Sequence, residues 1–349
     1  MKLYALGHPR WELSQLIYHA LPRLGLDGIV LISPGSPYVC IGYHQDVTQE
    51  VDLDYCRQHA IPVFRREVGG GAVFLDGRQL FFQIVLSRDH PLAGLDKATL
   101  YQRLLEPVAQ TYNDFGIPSR YKPINDVITA AGRKISGTGA AQIADSVVLV
   151  GNLIFDFDYD TMARVLRVPD EKYRDKVYKG LRENLTTMQR ELGYAPAEDE
   201  ASARLVRHFE EVLGPLEPAP LPAEVYRKAE ELMPQFTSDD WLYGRRRRPA
   251  GDRDVKIATG VHIVQRLRKT LGGLVRATLE IRDNVIESVS ISGDFFFYPE
   301  QKLAALEERL RGAPLAGVDA AIAAFYQQEG IDSPGLAPAE LAAILRGAD

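Results

Sequence analysis

The sequence predicts an α+β protein in which mixed α/β layers form a larger first domain and a small α+β domain follows. Helix-like and strand-like segments interleave over roughly the first half of the chain, and several strand pairs are joined too tightly for parallel crossovers. Residues 214–224 hold four prolines in eleven positions, which is typical of a linker. We predict a first domain at residues 1–213, a connecting segment at 214–254 and a second domain at 255–349.

Hydrophobic periodicity predicts the elements of the first domain in order. Apolar side chains at helical spacing predict helices at residues 11–24, 52–61, 97–115 and 161–168. Strand-like runs occupy residues 28–35, 36–45, 61–67, 72–87, 125–142 (strand, turn, strand) and 146–160. Pro22 should end or kink the first helix, Asp52 is an N-cap candidate, and Asp76-Gly77 predicts a hairpin turn.

The proline-rich segment is followed by a different pattern. A helix is expected at residues 221–233, followed by strands at 260–270, 274–283 and 285–292 and by helices at 301–312 and 318–330. Asp283-Asn284 predicts the turn between the last two strands. This order predicts a small α+β domain after the larger one.

Composition excludes several classes of protein. The net charge of −6 argues against a nucleic-acid binder, which would normally be basic. Two cysteines, Cys40 and Cys56, provide neither a disulfide framework nor a metal knuckle. The N-terminus lacks a signal-peptide layout, and the longest apolar runs fall short of the ~20 residues that span a bilayer. We therefore expect a soluble, cytoplasmic protein that binds neither nucleic acid nor membrane.

The stretch RREVGGGAVFLD contains the strongest anion-binding signal. Arg65 and Arg66 precede a glycine run, which comprises Gly69, Gly70 and Gly71. Glycines leave the backbone N–H groups open to close approach, and arginine donors suit phosphate or carboxylate groups. Strand alternation predicts that only one arginine faces the site. A bulged hairpin with solvated arginines is the structural alternative.

A second cluster, GRKISGTGAAQ, is called here the lysine loop (residues 132–142). It places Lys134 beside Ser136 and Gly137, with Asn125 and Asp126 just upstream. Its glycine spacing does not complete a dinucleotide fingerprint, and the chain contains no GxxxxGK[ST] phosphate loop. Lys134 alone is ordinary, but with this second glycine-rich loop it is a candidate for a charge held over a reacting carboxylate.

These motifs together resemble the lipoate–protein ligase family of the biotin/lipoate protein ligase superfamily. The matching features are the Arg-Arg and triple-glycine strand, the Asn-Asp pair, the Lys-x-Ser-Gly loop and the strand GNLIFDFD at residues 151–158. DWLYG at 240–244 and ISGDFFF at 291–297 resemble the family's accessory domain. The resemblance implies a class II biotin/lipoate-ligase-like catalytic domain followed by a small α+β accessory domain. Two departures are Leu75, where the family usually has histidine, and Val150-Gly151-Asn152, where it usually has His-Gly-Thr.

The resemblance also implies a reaction. A lipoate carboxylate attacks the α-phosphorus of ATP, usually with Mg²⁺, to give lipoyl-adenylate and pyrophosphate. A lysine of a small lipoyl-domain or H-protein-like acceptor then attacks the mixed anhydride. Lipoic acid and octanoic acid both remain candidate substrates.

The roles of individual residues follow from the same resemblance. Lys134 is assigned to the carboxylate and α-phosphate as the catalytic residue. The residues expected to contact the acyl-adenylate are Arg65, Arg66, Gly69, Gly70, Gly71, Ala72, Val73, Phe74, Asn125, Asp126, Ser136, Gly137 and Gly151, with Asp126 also a metal candidate. Val73, Phe74 and Ile135 are candidates for an apolar acyl tunnel, although each also fits an ordinary core. Asp156 and Asp158 have metal-like spacing but also fit solvated acids.

Cysteine placement favours a ligase over a thioester transferase. Residues 125–170 contain no cysteine, whereas adenylate chemistry needs no protein nucleophile. A cysteine-free octanoyl or lipoyl amidotransferase and a non-catalytic acyl-binding protein remain alternatives. The run Arg245–Arg248 fits either a solvated loop or a docking patch for an acidic acceptor.

Overall fold

The computed structural model describes residues 1–168, 170–244, 254–258 and 261–347. Its strands are β1 (Lys2–Ala5), β2 (Gly28–Ile32), β3 (Tyr38–Ile41), β4 (Val63–Arg65), β5 (Val73–Leu75), β6 (Gln79–Leu86), β7 (Ser119–Lys122), β8 (Asp126–Thr129), β9 (Lys134–Ile143), β10 (Ser146–Ile154), β11 (Glu217–Pro218), β12 (Asp254–Ala258), β13 (Val261–Thr270), β14 (Gly273–Arg282) and β15 (Val285–Gly293). Its α-helices are α1 (Leu13–Arg23), α2 (Val47–Glu50), α3 (Leu53–Gln58), α4 (Lys97–Asp114), α5 (Tyr159–Val165), α6 (Arg174–Asn184), α7 (Met188–Leu192), α8 (Glu198–Leu213), α9 (Ala223–Phe236), α10 (Asp239–Tyr243), α11 (Lys302–Leu310), α12 (Val318–Glu329) and α13 (Pro338–Arg346).

Contacts divide the chain into two compact units. The first unit comprises Met1–Cys40, Val51–Arg66 and Val73–Leu242, and the second comprises Ile41–Glu50, Glu67–Ala72 and Tyr243–Asp349. Two short segments from the N-terminal part of the chain, including the glycine run, thus pack with the C-terminal unit. The division predicted at residues 213 and 254 stays a prediction, and Arg245–Arg248 lie outside the described residues.

An eight-stranded mixed sheet forms the centre of the first unit. Its strand order is β11-β1-β2-β6-β10-β9-β8-β7, with parallel pairing only where β1 meets β2 and β11. The central strand β6 is buried at every position, and its sequence QLFFQIVL is apolar except at Gln79 and Gln83. The proline-rich segment contributes β11 at the sheet edge, where the missing proline N–H is tolerated. The predicted mixed α/β layer is confirmed.

Helix α4 connects the sheet to the site described below. Asp96 caps it by accepting a hydrogen bond from the Thr99 N–H at 2.9 Å, and Pro107 lies within the helix. The buried Tyr112 donates its hydroxyl to the Ile135 carbonyl at 2.8 Å and accepts from the Ile154 N–H at 3.1 Å. One helical side chain therefore links the two strands that carry the lysine loop and its neighbour.

The hairpin predicted at Asp76-Gly77 is wrong. Strand β5 pairs with β3 in a separate three-stranded sheet of order β4-β3-β5, whereas β6 belongs to the large sheet. Asp76 instead accepts hydrogen bonds from the Arg78 N–H at 3.0 Å and from its guanidinium at 2.9 Å. The Asp-Gly pair marks a turn between two sheets because the aspartate bonds locally, as turn aspartates do.

The second unit contains the antiparallel sheet β12-β13-β14-β15. Helices α11, α12 and α13 cover it with a shared apolar core that includes Ile291, Leu306 and Ile322. Asp283 and Asn284 both have positive φ in the β14–β15 hairpin, which suits these two residue types. The predicted small α+β domain and its turn are confirmed.

None of the helices in the described part of the chain is both long enough and apolar enough to cross a membrane.

Candidate active site

A cavity of about 480 Å³ opens in the first unit. It is lined by Val73, Phe74, Leu75, Gln79, Lys122, Asp126, Ile128, Gly132, Lys134, Gly137, Asn152, Ile154, Phe157, Met162, Val177, Gly180, Leu181, Asn184 and Leu185. Most of these side chains are apolar, and the polar ones come from β6, β7–β9, β10 and the end of α6. The cavity suits a ligand with an apolar body and one polar end.

Lys134 and Asp126 form the charged group of this cavity. Strands β8 and β9 pair antiparallel, with Asp126 opposite Gly137 and a register shift before Lys134. The Lys134 Nζ lies 2.6 Å from the Asp126 Oδ1, and the two side chains are 37% and 27% exposed. Partial exposure leaves the ammonium accessible, while its compact charge can follow an anion that enters beside the carboxylate.

Gly137 makes room for the lysine side chain. A Cβ placed on Gly137 would lie 3.3 Å from the Lys134 Cε and 3.5 Å from its Nζ. Thr138 Oγ1 donates to the Asn125 carbonyl at 2.6 Å, and the Asn125 amide donates to the Thr138 carbonyl. The Asn-Asp pair and the lysine loop are therefore held together as neighbouring strands.

Gln79 and Asn152, called here the amide pair, link four strands across the cavity wall. The Asn152 Nδ2 donates to the Gln79 Oε1 at 2.8 Å, and the Gln79 Nε2 donates to the Phe74 carbonyl at 3.2 Å. The Asn152 Oδ1 accepts from the Gly137 N–H at 3.1 Å. Ser136 is buried and donates its hydroxyl to the Asn152 carbonyl at 2.6 Å, so its side chain is directed to β10.

Helix α6 and the segment after it close one side of the cavity. The Thr186 N–H donates to the Lys134 carbonyl at 2.8 Å, and Lys134 forms a parallel bridge with Leu185. Glu191 accepts from Arg133 at 2.7 Å and from the Thr186 hydroxyl. The helical wall is thus fastened beside the lysine itself. No residue of 170–213 was predicted to belong to the site, and α6 in particular is strongly polar on its exposed faces.

Glu191 should make this fastening dependent on pH. Burial raises the pKa of Glu191, but hydrogen bonds from Thr186 and Arg133 outweigh burial and leave it below its usual value. A lowered folded-state pKa contributes stability that is present above the unfolded pKa and lost as pH falls through the folded pKa. We expect Glu191→Gln to lower the free energy of unfolding by about 1–3 kcal/mol at pH 7. The difference in the free energy of unfolding between Glu191→Gln and the unsubstituted protein should shrink below about pH 4, as measured by urea unfolding across a pH series. A gap that stays constant over this range would contradict the assignment.

The two arginines of RREVGGG have different partners. The buried Arg65 donates to the carbonyls of Trp241 and Leu242, at 3.1 and 2.7 Å, and is not among the cavity-lining residues. Arg66 donates to the Cys40 carbonyl at 3.3 Å and lies 3.6 Å from its sulfur. The prediction that only one arginine faces a ligand stays a prediction, and Arg65 is the one that caps a helix end.

Two of the three positions in the glycine run have a structural reason for glycine within the second unit, one from backbone conformation and one from packing. Gly70 has φ +90°, and a Cβ on Gly42 would lie 1.9 Å from the Gly70 carbonyl oxygen. A Cβ on Gly69 would lie 2.9 Å from the Phe296 ring. At Gly71, by contrast, the nearest atom would be the Asp294 Cβ at an ordinary 3.7 Å. Gly71 is therefore the position at which packing alone does not demand glycine.

The remaining predicted residues fall into two groups. Val73 and Phe74 line the cavity, whereas Ile135 is fully buried and does not. Gly151 lies opposite Thr138, and a Cβ there would lie 2.3 Å from the Phe82 ring. Ala72 belongs to the second unit with the glycine run.

The acids after β10 have structural roles. Asp158 caps α5 by accepting from the Thr161 N–H at 2.9 Å, and Asp156 lies 3.4 Å from Arg78. Within the described residues, no group of three or more His, Cys, Asp or Glu side chains could hold a metal ion.

Neither cysteine lies in the cavity. Cys40 and Cys56 are buried, and burial raises the pKa of both thiols, that of Cys56 to about 11. A thiol with a raised pKa is a poor nucleophile at neutral pH. Both thiols are therefore buried and poorly suited to act as nucleophiles.

Fold and cavity together define the class: an α+β protein with a mostly apolar cavity that contains a paired lysine and aspartate. The chain belongs to the lipoyl protein ligase A/B catalytic domain family, whose model matches residues 8–210. The model of the bacterial lipoate protein ligase C-terminus matches residues 262–345. The predicted family, its accessory domain and the expectation of an enzyme are confirmed.

Individual relatives include both ligases and transferases. The chain is 33% identical over 184 residues to lipoate-protein ligase A subunit 1 of Thermoplasma acidophilum, covering 50% of this chain and 68% of that protein. It is 27% identical over 230 residues to octanoyltransferase LipM of Kyrpidia tusciae, covering 59% and 83%. A solved archaeal lipoylation system from T. acidophilum, a bi-partite lipoate protein ligase and its E2 lipoyl domain, is similar with TM-score 0.62 and 26% identity over 72% of this chain and 98% of that one.

Proposed function

We propose that this protein is an ATP-dependent lipoate–protein ligase, which forms lipoyl-AMP and transfers the lipoyl group to a lysine of an acceptor protein. The observation that carries the proposal is the Lys134–Asp126 pair in an otherwise mostly apolar cavity. An acyl chain would occupy the apolar part, and its carboxylate would lie at the charged group. The acceptor would be a small lipoyl domain or an H-protein-like carrier.

Lys134 would act on the reacting anions. In the first half-reaction a carboxylate oxygen attacks the α-phosphorus of ATP, the bond to the β-phosphate oxygen breaks, and pyrophosphate leaves with the electron pair. Negative charge grows on the transferred phosphoryl group, and a preorganised ammonium lowers the energy of that charge. Lys134 is 2.6 Å from Asp126, so this carboxylate holds the ammonium in place before the substrates bind.

The loops would form the walls around the adenylate. Arg66 would contact the phosphate side, and the contacts expected of Gly69, Gly70, Gly71 and Ala72 stay predictions. On the other side Gly137 leaves space for the lysine, and Asn125, Ser136 and Gly151 hold the strands that carry it.

Asp126 is the candidate for a Mg²⁺ contact. Mg²⁺ at nucleotide sites usually takes one or two protein carboxylates and completes its shell with phosphate oxygens and water. One carboxylate beside a cationic lysine fits that pattern only when the phosphates are present. Bound Mg²⁺ would neutralise phosphate charge, whereas Asp126 by itself orients Lys134.

A cysteine-free octanoyl or lipoyl amidotransferase is the second candidate. The LipM relative is named an octanoyltransferase, which favours acyl transfer without ATP. In this chain the cavity lining contains no cysteine, and both thiols are buried. That favours activation through a nucleotide, because an adenylate requires no protein nucleophile.

ATP–pyrophosphate exchange distinguishes the two functions. The purified protein is incubated with ATP, Mg²⁺, labelled pyrophosphate and either lipoate or octanoate, without acceptor. A ligase incorporates label into ATP only when the acid is present. Intact-mass analysis then tests transfer to a panel of lipoyl domains and H-protein-like carriers. Acceptor lipoylation without ATP would overturn the ligase, and binding of acyl chains without either reaction would favour a non-catalytic protein.

Lys122 is a second cation that the sequence analysis missed. It lines the cavity at the end of β7 and lies opposite Asp126 in the β7–β8 pairing. Within the described residues no carboxylate lies within ion-pairing distance of its ammonium, unlike that of Lys134. Its residue type is too common at strand ends for sequence to identify it.

Lys122→Ala should therefore weaken the binding of ATP more than the binding of lipoate. We expect the KM for ATP in the exchange assay to rise about tenfold, which is typical for loss of one charged hydrogen bond, with the KM for lipoate within twofold. Lys122→Arg should restore most of the loss. An equal rise in both KM values would indicate that Lys122 supports the fold and does not contact phosphate.

A further inference from the structure

The amide pair is built in a way that a purely structural contact does not require. Gln79 is almost fully buried and Asn152 is half-buried, yet both side chains line the cavity. Asn152 lies opposite Phe81, and Ile154 lies opposite Gln79, so these side chains share one face of the sheet. Two primary amides therefore interrupt a wall that is otherwise mostly apolar.

Backbone partners determine the orientation of both amides. The Gly137 N–H can only donate, so the Asn152 Oδ1 must face it. The Asn152 Nδ2 then faces the Gln79 Oε1, and the Gln79 Nε2 faces the Phe74 carbonyl, which can only accept. A flip of either amide would place like groups together at two contacts. The donor end of Asn152 is thereby fixed before any ligand arrives.

One N–H of the Asn152 side chain is not used by the hydrogen bond to Gln79. A primary amide carries two N–H donors, and within the part of the chain that the structure describes, Asn152 Nδ2 has one protein acceptor, Gln79. Buried or half-buried donors are normally satisfied by protein, water or ligand. The second N–H of Asn152 thus remains for whatever occupies the cavity.

The chemistry of the cavity indicates what that group is. Moving a carboxylate into apolar surroundings is costly unless several donors meet it. Lys134 supplies one cation, but Asp126 already shares it. Gly137 joins the two features, because its N–H bonds to Asn152 while the Lys134 Cε lies 3.3 Å from where a Gly137 Cβ would be. A neutral donor on the same strand pair is what the carboxylate still lacks.

We propose that Asn152, held in orientation by Gln79, donates a hydrogen bond to the carboxylate of the acyl substrate and positions it for attack. Asn152 is thus a substrate-contacting residue, and Gln79 is a positioning residue that acts through it. The assignment rests on the proposed function for the identity of the acid, but it concerns binding of the acid alone and needs no nucleotide.

The test compares two ligands that differ at the polar end. Octanoate and 1-octanol share an eight-carbon chain, and only octanoate carries a carboxylate. Their Kd values are measured by calorimetry without ATP for the full-length protein and for Asn152→Leu, which keeps the side-chain size and removes the amide. We expect Asn152→Leu to weaken octanoate about tenfold or more and 1-octanol by less than threefold. Asn152→Gln or Asn152→Ser should recover part of the octanoate affinity.

Two further variants separate positioning from folding. Gln79→Leu should weaken octanoate by a smaller factor, about threefold to fivefold, because Asn152 keeps its amide but loses its orienting partner. Asn184 is the matched control, since it also lines the cavity but donates its amide to the Gly180 carbonyl at 2.8 Å. Asn184→Leu should change the affinities for both ligands by the same factor.

The outcomes distinguish this inference from the proposed function. Equal weakening of octanoate and 1-octanol by Asn152→Leu would overturn the carboxylate contact, as would a variant that binds octanoate normally. If the acid-specific loss appears in a protein that catalyses no acid-dependent ATP–pyrophosphate exchange, the amide contact stands and the ligase function fails. If acid-dependent exchange is present and Asn152→Leu shows no acid-specific loss of binding, the ligase function stands and the amide contact fails.

Discussion

Lys134→Ala should lower the rate of acid-dependent ATP–pyrophosphate exchange by about 10²–10³-fold, the usual cost of losing one preorganised charge at a site of developing negative charge. Its ammonium lies beside Asp126 in the cavity, so removal also leaves that carboxylate next to the entering substrate acid. The effect should appear in kcat/KM for both ATP and lipoate. The initial rate of ATP–pyrophosphate exchange, measured at saturating Mg²⁺, tests this prediction.

Lys179→Ala is the matched control for that experiment. Lys179 lies on α6, close in sequence to the cavity wall, but its side chain is 77% exposed and 3.8 Å from Glu183. Exposed i,i+4 pairs contribute only a few tenths of a kcal/mol, so exchange should stay within twofold. Full activity of Lys134→Ala would remove Lys134 from the reaction and with it the main support for adenylate chemistry at this site.

Gly180→Leu should exclude long acyl chains from the cavity. Gly180 lies in the middle of α6 and lines the cavity, and apart from its chain neighbours and the backbone of its own helix no atom lies within 4 Å of where its Cβ would be. A leucine side chain there would occupy space otherwise available to the chain. Displacing about three methylenes at about 0.8 kcal/mol each corresponds to roughly fiftyfold weaker binding of octanoate or lipoate, whereas butanoate should change less than threefold. Calorimetric Kd values for the three acids measure this.

Gly180→Ala separates filling of the cavity from the change in helix stability. Alanine in place of a helical glycine stabilises by about 0.5–1 kcal/mol, so this variant should melt higher and still bind octanoate. Gly180→Leu should melt at least as high as the unsubstituted protein, since the space is open. Normal octanoate affinity in a folded Gly180→Leu protein would show that the acyl chain lies elsewhere.

Residue patterns alone predicted most of the elements. They failed at Asp76-Gly77 and at α6. Asp76-Gly77 is a strong hairpin signal, but the aspartate is held by the backbone and guanidinium of Arg78, and the flanking strands enter different sheets. Helix α6, which forms one side of the cavity, was not predicted because its sequence is mostly polar. Its few inward residues, Val177, Gly180 and Leu181, make too narrow a stripe for periodicity to detect.

The residues of the candidate site also differ in how well the sequence predicts them. Lys134, Asp126 and Gly137 were identifiable because charge and glycine in close sequence order mark a loop that must accommodate an anion. Asn152 was visible only as a departure from a family pattern. Gln79 and Lys122 gave no signal, because their importance depends on neighbours that are distant in sequence.

By itself, the sequence determined much of the secondary structure, the family and the lysine loop, since these depend on local propensity and on residues close together along the chain. Tertiary structure alone decided that Arg65 caps a helix end, that Gly69 and Gly70 are packed against Phe296 and Gly42, and that the two amides meet across strands. Those outcomes depend on which backbone groups remain unsatisfied once the sheets have paired. No pattern within one segment contains that information.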